Sequence, residues 1–249
     1  MEAVPEQIRH LVTVGLALLL VMLRLDAERF GAAEYDEVGP DGRAPSVRRR
    51  VAWYLVGIGL IVAITYVHPR PGSELSLRTG DRMGALLRGY NIAVAGAAQA
   101  VGFAWLRYRY LRLPSVGSYP GALTNSVATA FIDEATFRGV VLGLTLAVGV
   151  DPGAAIVMQA ILYALATRLG APGRNRYMLL LALVVGLIGG WLTVATGGIA
   201  AAFLAHAVTR FSVFLTTGHA GQVAPRGRET EEIERRRRPP DGWRIIGSR

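Results

Sequence analysis

Long runs of apolar residues constrain this chain more than any other feature. "GLALLLVML", "VAWYLVGIGLIVAITYV", "YMLLLALVVGLIGGWLTVAT" and "GGIAAAFLAHAV" hold almost no charge. A bilayer core of about 30 Å takes roughly 20 apolar residues as a helix, and several of these runs approach or meet that length. An all-α fold, a polytopic bundle of transmembrane helices, is the expectation. Composition agrees. Of 249 residues, 52% are hydrophobic, above the roughly 45–50% of soluble domains even with glycine counted there. Mean hydropathy is +0.36. The 30 glycines suit membrane helices, whose backbones approach closely over small residues.

Periodicity and turn signals predict about seven spans, near residues 8–24, 51–67, 86–106, 121–148, 153–169, 177–196 and 198–217. "VGPDG" and "PRPGS" mark breaks between them. "WLRYRYLRLP" alternates aromatics with arginines, as membrane–water boundaries do. The first run follows Glu2, Glu6 and Arg9 and lacks a small-residue cleavage site after it, so it is expected to be a retained helix. Three regions result: N-terminal helices and loops over 1–120, core helices over 121–217, and a charged, disordered cytoplasmic tail over 218–249.

All 27 basic residues are arginine and the net charge is +9. In a membrane chain this excess belongs to cytoplasmic loops rather than to nucleic-acid binding, and no nucleic-acid partner is expected. Arg24, Arg29, Arg43, Arg48 to Arg50, Arg107, Arg109, Arg112, Arg168, Arg174, Arg176 and the tail fall on one side. Arg9, Arg70, Arg78, Arg82 and Arg88 fall on the other. The positive-inside rule places the C-terminus in the cytoplasm and the N-terminus outside. The run Arg235 to Arg238 is suited equally to lipid headgroups and to plain solvation. With no cysteine, disulfides and thiolate metal sites are excluded.

Against this background "AFIDEATFRGVVLG" stands out, with Asp133, Glu134 and Arg138 inside an apolar helix. A carboxylate at mid-membrane costs at least about 2.5–3.5 kcal/mol, so such groups face the protein interior and find partners. Glu134 and Arg138 are four apart and share a helix face, which fits a structural clamp as well as a reactive site. In "GGIAAAFLAHAVTRF", His206 lies among Ala, Leu and Phe with Arg210 a turn later. His10, His68 and His219 sit near span ends. Glu134 and His206 are thus the best candidates for a shared site. Gln159, Tyr163 and Thr167 line one face of "MQAILYALATRLG", a stripe that serves as glue between helices or lines a cavity.

The three segments together resemble the CPBP family of intramembrane proteases (CAAX protease and bacteriocin-processing, also called Abi). In "DEATFRG", Glu134, Arg138 and Gly139 match the Glu-Glu-x-x-x-Arg-Gly motif, with Asp133 in place of the first Glu. In "YALAT", Tyr163 and Thr167 stand at the Phe and His of the second motif. In "HAVTR", His206 is kept and Arg210 replaces the Asn of the third. The likeness runs from Gly121 to Phe211. It implies a helical intramembrane protease fold in a plasma membrane, and the Arg- and Ala-rich composition suggests a bacterial one. It also implies a water activated by Glu134 as general base, with Arg138 and His206 completing the catalytic set. A zinc or other divalent ion would draw on Glu134, His206 and, as an extra ligand, Asp133. The imidazole missing at Thr167 and the charge of Arg210 leave a metal-free site equally open.

Three functions follow. The first is a divergent glutamate-dependent endopeptidase, with or without metal, cutting membrane-proximal peptides; it is favoured because Glu134, Arg138 and His206 survive. The second is an inactive pseudoprotease holding a membrane-protein or peptide partner. The third, a proton relay or transporter, ranks low because neither paired half-helices nor an inverted repeat is present.

Overall fold

A computed structural model describes residues 4–33, 35, 36, 47–108, 111, 114, 116–169 and 176–220. The tail expected over 218–249 lies outside them beyond residue 220. The architecture is the expected helix bundle. Helices α1 (Glu6–Leu25), α2 (Val47–Val67), the short α3 (Pro71–Glu74) and α4 (Arg82–Tyr108) lead to a continuous helix with a π segment in it. That helix consists of α5 (Tyr119–Glu134), a π-helical segment (Ala135–Val141) and α6 (Leu142–Ala147). Then follow α7 (Pro152–Leu169), α8 (Arg176–Thr196) and α9 (Ala200–Thr217). Among the described residues, four stretches are apolar and long enough to cross a membrane by length and composition: Glu6–Leu25, Val47–Val67, Leu179–Thr196 and Ala200–Thr217.

Local chemistry sets the ends. Asp151 caps α7, its Oδ1 accepting the backbone N–H groups of Gly153 (2.9 Å) and Ala154 (3.1 Å). Pro152 follows at the first helical position, where no N–H is required. Gly218, left-handed at φ 79°, closes α9. Beyond it His219–Ala220 pairs antiparallel with Tyr35–Asp36, tying the exit of α9 to the connection between α1 and α2. The third span starts earlier than periodicity predicts, and Arg88 is accommodated at its end by donating to Ala195 O of α8 at 2.8 Å.

Small residues bring the helices together. At Gly186 of α8 a Cβ would meet Ala160 Cα of α7 at 2.8 Å, and at Gly96 of α4 it would run into the Thr209 side chain of α9. The connection after α3 folds back onto the helix with the π segment. A Cβ at Gly143 would meet Glu74 O at 2.7 Å and Ser76 N at 2.9 Å, and Ser76 donates its N–H to Gly139 O at 2.9 Å. The π segment shifts bonding to a five-residue step, seen as Leu142 N–H to Phe137 O. Such segments leave a carbonyl short of its helical donor and cluster at functional sites. Here Ser76 supplies a donor from outside the helix.

Candidate active site

Glu134 ends α5 where the π segment begins, and His206 lies midway along α9. His206 Nδ1 is 2.7 Å from Glu134 Oε1. Since a carboxylate only accepts, the imidazole donates through Nδ1–H. Arg138 Nε stands 3.3 Å from Glu134 Oε2 without the alignment of a hydrogen bond, and Oε2 has no hydrogen-bond partner among the described residues. Arg138 is anchored elsewhere: Nη2 donates to Val185 O of α8 at 3.2 Å, and the guanidinium lies 4.2 Å from the centre of the Tyr163 ring. The Tyr163 ring also meets His206 edge-on at 6.3 Å. Burial strips the carboxylate of its hydration, and these two partners offset that loss.

A cavity of about 440 Å³, mainly apolar, opens between α4, α8 and α9 and is lined by Glu134 and His206 together with Arg24, Tyr163, Thr167 and Arg210. The site therefore combines a buried carboxylate with one oxygen facing the Arg138 guanidinium without a hydrogen bond, an imidazole aligned on the other oxygen, and a mainly apolar cavity.

Several residues singled out from the sequence are held by other partners. Asp133 turns to α1 and pairs with Arg24 Nε at 2.7 Å, away from His206. Adjacent helical positions point about 100° apart, which separates it from Glu134. Thr167 donates its hydroxyl to Ala164 O at 3.1 Å. Arg210 donates to Asn125 Oδ1 (3.1 Å) and Ala33 O (2.9 Å). Gln159 donates to Gly186 O at 2.7 Å, acting as glue between α7 and α8. Sequence reasoning missed Arg24 and Asn125. Asn125, Thr129 and Asp133 recur every four residues on α5, a polar stripe that signals a buried network. Asn125 completes it by donating to Ala32 O (3.0 Å) and Tyr54 Oη (2.8 Å).

The donor set at Glu134 does not fit a divalent cation. Zinc in a catalytic site takes three protein ligands. Here Glu134 Oε1 is bonded to His206, Asp133 is held by Arg24, and the Thr167 hydroxyl is committed to a carbonyl.

Fold and site define a polytopic helical membrane protein with a carboxylate–imidazole pair buried between its helices. Residues 115–212 match the family model described as Rce1-like, type II CAAX prenyl endopeptidase Rce1-like. The matched segment is the one whose motifs resemble the CPBP/CAAX protease family, an intramembrane protease type. No curated protein and no solved structure matches the chain.

Proposed function

We propose that the protein is a metal-independent intramembrane endopeptidase in which Glu134 activates water against a peptide carbonyl close to the membrane. The observation that carries this reading is the 2.7 Å contact between Glu134 and His206 at the wall of the cavity. Glu134 Oε2, free of hydrogen bonds, takes a proton from water as the water oxygen bonds to the carbonyl carbon. The proton then passes to the leaving amine as the C–N bond breaks, which restores the carboxylate. His206 fixes the carboxylate through Nδ1–H and offers the Nε2 lone pair to orient the water. Arg138 balances the charge of Glu134 from a position locked by Val185 and Tyr163. The apolar lining favours a lipid-associated or apolar peptide segment and limits competing water.

A second reading, a partner-holding pseudoprotease, draws on two observations. Arg138 faces Glu134 at 3.3 Å, and Thr167 and Arg210 are committed to structural contacts. The two readings part on one experiment. The purified protein in lipid vesicles is given quenched fluorescent peptides carrying either a prenyl group or a plain apolar anchor. The protease reading expects cleavage of at least one probe, falling by roughly 10²–10⁴-fold in Glu134→Gln, the contribution of a positioned general base. Equal rates in wild type and Glu134→Gln contradict it.

A further inference from the structure

We infer that His10, His68 and Glu74 form a binding site for a divalent transition metal, zinc being the best match, at the end of the bundle that holds the N-terminus of α1. One ligand atom from each residue lies within 4.8 Å of the others. His10 Nε2 is 3.3 Å and His68 Nε2 is 3.5 Å from the same oxygen, Glu74 Oε2. Charge-assisted N–H···O⁻ bonds run about 2.7–2.9 Å, so both contacts are long for hydrogen bonds. These two separations are close to the edge of a coordination tetrahedron, about 3.3–3.4 Å for bonds of about 2.0–2.1 Å to zinc, and the three ligand atoms close to that spacing by small side-chain shifts. Two imidazoles and one carboxylate are a zinc donor set that leaves one position for water.

The surroundings prepare the ligands. His10 Nε2 faces Glu74 Oε2 and donates to it without metal; with Nδ1 donating instead to Glu6 O at 3.0 Å, Nε2 is released as a ligand. A backbone carbonyl holding the far nitrogen is the usual support of a ligating histidine. Arg70 Nε holds Glu74 Oε1 at 2.8 Å, freeing Oε2, while Glu6 balances Arg70 at 3.0 Å. His68 is buried, and its Nε2 has no hydrogen-bond partner among the described residues. Its Nδ1 accepts the Arg70 N–H at 3.1 Å, so metal at Nε2 moves the ring proton to Nδ1 and gives up that bond. The His10 side chain, 36% exposed, leaves an entry path.

A metal here joins α1, the end of α2 and α3, and so clamps the connection that rests on Gly139 and Gly143 next to Glu134. The test uses full-length protein purified with a histidine-free tag and stripped with chelator, in a Glu134→Gln/His206→Ala background. Any zinc held by the candidate active site is thereby removed from the count. Zinc is then titrated, with metal content and thermal midpoint as readouts. The expected result is one zinc per chain and a raised midpoint. His10→Gln weakens zinc by at least about tenfold, the lower limit even for an outer-shell partner, and Glu74→Gln does the same. His68→Ala serves as a third variant where it folds. No stoichiometric zinc, or zinc that His10→Gln and Glu74→Gln leave unchanged, overturns the inference. Cleavage by the unmodified protein without zinc bears on the proposed function alone.

Discussion

Among the described residues, the buried charges Arg24, Asp133, Glu134, Arg138 and Arg210 each meet a partner from another part of the fold. Asp133 and Arg24 make the clearest pair, at 2.7 Å and with almost no exposure. Removing one member leaves an uncompensated buried charge at a cost of about 3–5 kcal/mol, whereas removing both charges is far milder. Arg24→Ala is therefore expected to lower the thermal midpoint sharply, and adding Asp133→Asn to recover most of the loss. Additive damage from the two changes would show that they are not coupled. At this scale the sequence was partly legible. Ionisable residues inside apolar runs marked Glu134, Arg138 and His206, because their cost in lipid demands an explanation. Arg24 was hidden, since an arginine at the end of a span reads equally well as a cytoplasmic flank. The destination of Asp133 depends on how α1 packs, which local pattern does not encode.

At the scale of elements, the segment expected to be one helix over 121–148 runs without interruption from Tyr119 to Ala147, but its hydrogen bonding changes to a π step directly after Glu134. Apolar periodicity gives no hint of a π segment there, because its extra residue is compensated by Ser76, far away in sequence. The glycines carry more of this message than the apolar residues do. At Gly143 an added Cβ would meet backbone atoms of Glu74 and Ser76, which cannot turn aside as a side chain can. Gly143→Ala is expected to destabilise by about 1–3 kcal/mol, as overpacking does, and to loosen the connection after α3. A lowered thermal midpoint together with faster proteolytic nicking near residues 75–80 would verify this. A midpoint equal to wild type would show that the connection does not press on the helix.

For the molecule as a whole, the alternation of helices puts the connections 68–81, 148–151 and 197–199 at one end. The two-residue sheet, the exit of α9 and the turn Val116–Ser118 lie at the other. Contacts such as Arg78 Nε to Gly197 O at 2.7 Å bind the first end together. The fold class and the order of spans were readable from apolar runs and turn residues, since lipid permits few alternatives to the helix. The chain has no cysteine, so single introduced thiols report sidedness cleanly. Asp151→Cys and Gly117→Cys are expected to react with an impermeant maleimide from opposite faces of the membrane, with Gly117 on the cytoplasmic side. Labelling from the same face would contradict a seven-span path.

The central claim is that Glu134 and His206 form a hydrolytic pair. Its most direct test is to profile new protein N-termini in membranes of cells carrying the wild-type protein or Glu134→Gln at equal abundance. Termini close to predicted membrane spans are expected in the wild type and absent from the variant. Indistinguishable sets, with both proteins folded, would contradict a catalytic role for Glu134 and favour the partner-holding reading.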